Sequence, residues 1–329
     1  MSKKIYFSIQ GTPHGGGPSV FVWKMATALK RKGHHIVYNK QPDMDVALMI
    51  ISAGNIINKV KGKKTKVLLR LNGIYNKEYN KKFNRAIRPD MTALHDDLRR
   101  NIPLMHHTIY QSKWSRDRIW DEIIKVDKNY SIIHNGADTN IFKPIKRPND
   151  GFVNLIHVGK MRDAYLMEML IGTYRELRRR RQNVKLILVG SMDGGCKKVL
   201  AKNRDNNIVY IQNIPNNQVV KAYNIGDIFL GIRQGCSSNN TTSEAQACGL
   251  GIIVPEWGGD HELVTNGQTG IIVPSGHWDY DQNYINGIAD AVEKMIPDLE
   301  GYKKRAREHA VKNLSLDIMV NKYLKAMGV

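Results

Sequence analysis

The sequence predicts an α/β protein made of two doubly wound, Rossmann-like parallel-sheet domains facing a central cleft. Three observations carry this expectation. At 329 residues the chain has room for two domains of about 150 residues each. Short β-rich runs alternate with helical stretches from one end to the other, the order that places helices on both faces of a parallel sheet. The alternation breaks at Lys143-Pro-Ile-Lys-Arg-Pro-Asn-Asp-Gly151, where two prolines and a glycine within nine residues read as a linker. The expected domains are 1–147 and 148–312, with 313–329 a C-terminal helix crossing back to the first domain.

In the first half the expected strands are Lys4–Ile9, His35–Tyr38, Val46–Ile51, Val67–Leu71, Thr108–Gln111 and Ser131–His134. A helix begins near Ser19, with Val20, Trp23 and Ala26 at helical spacing, and Gly33 stops it. In the second half Val153–Val158, Lys185–Val189, Ile208–Ile211, Ile228–Leu230, Ile252–Val254 and Ile271–Val273 are the strands. Helical stretches such as Ala164–Arg181 separate them, and Leu316–Met327 reads as an amphipathic helix.

The composition, 42% hydrophobic and 24% charged, is that of a globular protein, and excludes collagen-like, disordered and disulfide-scaffold classes. No apolar run approaches the roughly 18 residues that a membrane-spanning helix needs. The N-terminus carries no signal-peptide pattern, so a cytoplasmic location is expected. Cys196, Cys236 and Cys248 stand at no metal-ligand spacing; neither structural disulfides nor a resident metal is expected. The net charge is +20, and residues 1–150 account for +16 of it. So lopsided a charge suggests that the first half meets an anionic partner.

After the first strand comes Gly11-Thr-Pro-His-Gly-Gly-Gly-Pro-Ser19, then a helix. Residues without side chains ahead of a helix N-terminus let backbone N–H groups approach a phosphate, which nominates Gly16 and Gly17; a simple tight turn reads equally well. The spacing matches neither a P-loop nor the Gly-x-Gly-x-x-Gly fingerprint, so ATPase and dehydrogenase readings lose support.

Two longer runs are more specific. Ser131-Ile-Ile-His-Asn-Gly-Ala-Asp-Thr-Asn-Ile-Phe-Lys-Pro144 resembles the N-G-V-D…F-x-P signature that ends the first domain of family-four retaining glycosyltransferases of the GT-B fold. Thr242–Val264, with Glu244-Ala-Gln-Ala-Cys-Gly249 and Gly258-Gly-Asp-His-Glu262, followed by Gly267-Gln-Thr-Gly270, resembles that family's E-A-x-A-x-G…G-G-x-x-E…G-x-T-G run. Val184–Gly190 and Tyr223–Leu230 resemble two further family segments, so the likeness runs along essentially the whole chain, in order.

The resemblance implies a retaining glycosyltransferase that takes a nucleotide-diphosphate sugar as donor substrate and needs no further cofactor. It implies that Glu244 binds the ribose hydroxyls, as a carboxylate accepting two hydroxyl donors can; its alternative is a helix-end charge. Lys160, in Gly159-Lys-Met-Arg162, corresponds to the family's basic residue after the first strand of the second domain. It is expected to neutralise the diphosphate as the sugar leaves, with Arg162 beside it; the alternative is a solvated pair of cations. The stretch between the expected strand and Glu244 contributes Cys236, Asn239, Asn240, Thr241 and Thr242 as donor-binding candidates. Several positions depart from the family pattern. Cys236 stands where the first glutamate of the Glu-x7-Glu pair belongs, Ile232-Arg233 replaces Pro-Ser, Tyr165 replaces a second basic residue, and Asn72 replaces a His or Asp. Asn72 is expected to accept a hydrogen bond from a sugar hydroxyl, without titrating near neutral pH. No pair of carboxylates for double displacement is evident. The expected chemistry is same-face attack guided by the leaving diphosphate, independent of metal.

Lys59 to Arg88 holds eleven basic residues and one acid, with Tyr75, Tyr79 and Phe83 every four residues. Lys63, Lys64, Arg70, Lys81 and Lys82 are the candidate polyanion or acceptor surface. The acceptor is expected to be a glycan or lipid-linked sugar, with nucleic acid such as a hydroxymethylated base of viral DNA as alternative. Peripheral contact with an anionic membrane is a further reading, an ordinary solvated basic face the bland one, and no protein partner is expected. A catalytically weak relative that only binds nucleotide sugar is the other function class, motivated by Cys236 and Tyr165.

Overall fold

The computed structural model describes residues 2–13, 15–41, 43–52, 54, 56, 60, 64–72, 81, 89–120, 124, 129–212, 214 and 218–329. The chain forms two compact units, one of Met1–Gly136 with Leu316–Val329, the other of Ala137–Ser315.

In the first unit the described strands are β1 (Lys4–Phe7), β2 (His35–Val37), β3 (Val46–Ile50), β4 (Lys66–Arg70), β5 (His107–Tyr110) and β6 (Tyr130–Ile132). They form one parallel sheet in the order β2-β1-β3-β4-β5-β6. In β3, Val46-Ala-Leu-Met-Ile50 is buried throughout, the unbroken apolar run of a strand covered on both faces. One face packs Ile5, Phe7 and Leu48 against Phe21 and Met25 of the helix Gly17–Arg31 and against Val320 and Tyr323 of the last helix, Leu316–Met327. The other face packs Tyr6, Met49 and Leu69 against Leu98 and Ile102.

The second unit repeats the plan with β7 (Val153–Val158), β8 (Val184–Val189), β9 (Ile208–Ile211), β10 (Ile228–Leu230), β11 (Gly251–Pro255) and β12 (Ile271–Val273). The parallel order is β12-β11-β10-β7-β8-β9. Successive side chains go to opposite faces: Leu155 meets Leu170 and Ile288 on one side, Ile156 meets Ala245 and Ala306 on the other. The helix Ala164–Arg180 starts at Asp163, whose carboxylate accepts from the Tyr165 N–H, and ends in Arg178, Arg179 and Arg180, cations suited to a helix C-terminus. All twelve strands expected from the sequence are present, their ends within two residues or fewer of expectation. Among the described residues no helix is long and apolar enough to cross a membrane.

The division between units falls at 136/137, ahead of the proline-rich stretch. Residues 137–147 are fastened to second-unit partners. The Ala137 N–H donates to Leu314 O at 2.9 Å, Arg307 donates to Phe142 O at 2.7 Å, and the Ile145 N–H donates to Asn224 Oδ1 at 2.6 Å. Arg147 pairs with Asp227 at 2.6 Å. Backbone rich in proline looks like linker by composition, yet here the Ile145 N–H and the Lys143 carbonyl both bond to Asn224 of the second unit.

Candidate functional site

In a doubly wound sheet, ligands bind beyond the carboxyl ends of the strands where the strand order reverses. In the second unit that point lies between β7 and β10. The loop after β7 is Gly159-Lys-Met-Arg-Asp163. Gly159 has φ +151° and Gly190, beyond β8, has φ +129°. A Cβ on Gly190 would stand 2.0 Å from the Gly159 carbonyl oxygen, so the two loops close on each other only because side chains are missing. The Met161 N–H donates to Ser191 O at 2.8 Å and the Asp193 N–H to Met161 O at 3.0 Å, which pins the loop. Met161 is buried while Lys160 and Arg162 on either side are exposed. Two cations are thus set on a rigid turn at the sheet's carboxyl edge, where they can meet an anionic ligand.

The loop after β10 leads into the helix Asn240–Ala247. Gly235, with φ +73°, leaves no room for a side chain: its Cβ would lie 2.3 Å from Trp278 Nε1. The Cys236 carbonyl accepts from the Gly259 N–H at 2.6 Å, so the two glycine-bearing turns brace one another. Burial pushes the Cys236 thiol up, so it is neutral and offers at most a weak donor where the family pattern has a carboxylate. Asn239 donates to Asp260 from its backbone N–H at 2.6 Å and from its side chain, and Thr242 Oγ1 donates to the same carboxylate at 3.1 Å. Asp260 is 1% exposed; burial raises its carboxyl, against those hydrogen bonds. The side chains of Asn239 and Thr242 therefore hold the loop in shape. Asn240 and Thr241, half-buried, occupy the first turn of the helix, which carries no acidic residue.

Glu244 lies one turn into this helix, 5% exposed, and accepts from the Tyr223 hydroxyl at 3.0 Å. Burial and the Glu244 charge push the Tyr223 phenol well above its ordinary value, so it stays a donor. Phe142, edge-on at 5.9 Å, packs on the Tyr223 ring. Sequence reasoning did not assign Tyr223 and Asp260 these roles; a buried tyrosine or aspartate has no periodicity of its own that names its partner. His157, in β7, makes its Nδ1 contact with Leu230 O at 2.8 Å, and burial lowers its pKa.

Two Asp-x-Asp spacings have structural partners: Asp43 and Asp45 pair with Lys4 and Lys3, and Asp281 caps the helix Gln282–Met295. Among the described residues no cluster of His, Cys, Asp and Glu could hold a metal ion. A cavity of about 890 Å³ lies at the opposite, amino edge of this sheet. There Asp227 bridges Arg147 at 2.6 Å and Lys303 at 2.9 Å. It lies away from Lys160 and Glu244.

In the first unit Gly16 is the N-cap and Gly17 the first residue of the helix Gly17–Arg31, both exposed. The Ser19 hydroxyl accepts from the Thr12 N–H at 2.9 Å, and a Cβ on Gly11 would strike the Trp23 backbone at 2.2 Å, so this turn too depends on glycine. Of the expected basic surface, Lys64 and Lys81 are exposed, and Lys63 and Lys82 lie outside the described residues. Arg70 corrects the expectation: it is 2% exposed and belongs to no surface. It ends β4 between β3 and β5, where Phe21 and Tyr323 cover it. Asn72, 8% exposed, meets its guanidinium through Oδ1.

The family model described as Glycosyl transferases group 1 matches residues 153–298. Over 154 residues the chain is 27% identical to the capsular polysaccharide biosynthesis glycosyltransferase CapM of Staphylococcus aureus, covering 46% of this chain and 38% of that protein. The chain spans about half or less of the length of the curated relatives it matches. Among solved structures, a glycosyltransferase from Rickettsia africae aligns over 99% of this chain and 98% of its own, with a TM-score of 0.74 and 16% identity. HepE of Anabaena, in complex with UDP and glucose, aligns over 99% of both chains, with a TM-score of 0.70 and 14% identity. Residues 153–298 are thus similar to the glycosyl transferases group 1 family, in a chain that has the GT-B fold from end to end.

Proposed function

We propose that this chain is a retaining glycosyltransferase that moves a sugar from a nucleotide-diphosphate sugar to an acceptor hydroxyl. The observation that carries the reading is the setting of Glu244: a buried carboxylate on the helix after β10, inside the matched domain, with exposed Lys160 and Arg162 on the loop across the same switch point. In this reading Glu244 holds the ribose hydroxyls. Lys160 and Arg162 stabilise the charge that grows on the diphosphate as the glycosidic bond breaks. The acceptor oxygen bonds to the anomeric carbon on the face that the diphosphate leaves, and its proton passes to a departing phosphate oxygen. No step calls for a metal. Cys236 leaves the donor sugar without the carboxylate contact of the family pattern, so other groups select it.

A glycan acceptor is the reading with support outside the sequence. CapM is by name a capsular polysaccharide enzyme, and TarM of S. aureus is described in complex with fondaparinux, α-GlcNAc-glycerol and UDP. Incubating the protein with a panel of nucleotide sugars and measuring released nucleoside diphosphate tests the activity; binding without release would favour the weak relative. A salt series with acidic glycan, anionic vesicles and duplex DNA tests the basic half. Affinity for the true polyanion should fall steeply with salt, and reversal of Lys63, Lys64, Lys81 and Lys82 to Glu should abolish it.

A further inference from the structure

The carboxyl edge of the first-unit sheet holds a directed chain of hydrogen bonds. Arg70 donates from Nε to the Tyr323 hydroxyl at 3.1 Å, from one terminal nitrogen to Asn72 Oδ1, and from the other to Asn135 Oδ1 at 2.8 Å. Asn135 passes its own Nδ2 to Gln111 Oε1 at 2.8 Å, and Gln111 donates to Leu71 O at 2.9 Å. A guanidinium has only donors, so the amide atom that faces it must be oxygen, and neither asparagine can be turned over. Within this network of Arg70, Asn72, Asn135 and Gln111, every side-chain amide is committed at both ends except one. Asn72 Nδ2 is buried and has no hydrogen-bond partner among the described residues. An unmet buried N–H is costly, and a native structure retains one where something else completes it. Arg70 has no carboxylate partner among the described residues, so its charge also reaches Asn72 uncompensated.

We propose that Arg70 is a positioning residue that turns Asn72 into a hydrogen-bond donor toward an electron-rich oxygen of the substrate. The Asn72 oxygen is consumed by Arg70, so Asn72 does not accept from a substrate hydroxyl, contrary to what its residue type suggests. The group it meets is an oxygen lone pair, most favourably one that bears negative charge, because Arg70 polarises the amide from behind. This rests on the glycosyl-transfer reading above.

Asn72→Asp separates the possibilities in the full-length protein. The carboxylate keeps the oxygen that Arg70 holds and adds the opposite charge, while both N–H groups are lost. Its melting temperature should equal or exceed that of the wild type. Its kcat/KM, read as nucleoside diphosphate release from the nucleotide sugar the wild type turns over, should fall by about 10- to 100-fold. Arg70→Lys, which cannot hold Tyr323, Asn72 and Asn135 at once, should lower kcat/KM in the same direction. On an Arg70→Gln background the same Asn72→Asp change should destabilise, since the added carboxylate then lies buried without a cation. Wild-type kcat/KM in Asn72→Asp overturns the donor role. A lowered melting temperature in Asn72→Asp with Arg70 intact overturns the orientation. A wild type that releases nucleoside diphosphate from no nucleotide sugar overturns the glycosyl-transfer reading and this inference with it. An active wild type matched by Asn72→Asp overturns this inference alone.

Discussion

Removing Glu244 should have two separable consequences. Its carboxylate is 5% exposed and holds the Tyr223 hydroxyl at 3.0 Å. In Glu244→Ala that buried hydroxyl loses its acceptor, at a cost of about 1–3 kcal/mol in stability. The proposed ribose contact disappears as well. A hydrogen bond to a charged group is worth about 1.5–3 kcal/mol, so donor affinity should weaken by about 10- to 150-fold. Glu244→Gln divides the two effects. Its amide oxygen still accepts from Tyr223, so the melting temperature should stay close to that of the wild type, while the lost charge weakens the donor contact. Thermal melts and calorimetric titration with the nucleotide sugar identified by diphosphate release measure both. Unchanged donor affinity in Glu244→Ala would remove Glu244 from the site, and destabilised Glu244→Gln with intact affinity would make it structural.

Lys160→Ala should lower kcat more than donor affinity, because its charge matters most as the diphosphate leaves; intact turnover with altered stability would make the lysine structural. Gly190→Ala should destabilise by about 1–3 kcal/mol, since the new Cβ would sit 2.0 Å from the Gly159 carbonyl oxygen at φ +129°, and it should depress turnover by moving the Lys160 loop. A melting curve like that of the wild type would show that the loops can part. Asp227 contributes to the acid limb of stability. Burial raises its carboxyl, but the Asn154 N–H, Lys303 and Arg147 outweigh burial and hold it below the usual range. As pH falls below about 4 the unfolded chain takes up this proton first, so the contribution is full above that pH and is lost toward the lower folded-state value. Asp227→Asn should lose about 3 kcal/mol at neutral pH and show a shallower decline in acid, checked by denaturant titrations at pH 7, 4 and 3. Equal slopes in variant and wild type would remove Asp227 from the acid transition.

Much of the second unit is legible along the chain because its chemistry is local. Val153–Val158 and Gly251–Pro255 are strand-forming runs that neighbouring residues alone mark out, and the fold buries each of them throughout. Lys160 and Glu244 sit in short motifs whose turns are set by glycines within a few residues. Period and spacing report short-range constraints of this kind. The partners of these residues are a different matter. Glu244 meets Tyr223 from 21 positions away, and Asn239 and Thr242 meet Asp260 from 21 and 18. Glu244 reaches back to the helix that precedes β10, Asn239 and Thr242 reach the turn that follows β11, and only tertiary packing brings these pairs together. Arg70 shows the gap most clearly. By sequence it is one cation in a basic run; in the fold it ends a central strand and is closed over by Tyr323, 253 residues later. A side chain's face follows from its neighbours in the chain, but its burial and its partner depend on what packs above it. The sequence alone therefore determined two parallel sheets, their strands, and the loop and helix that carry Lys160 and Glu244. Tertiary packing alone decided that Arg70 is buried, which amide oxygens it holds, and that the proline-rich stretch belongs to the second unit, because those choices depend on contacts between elements far apart in the chain.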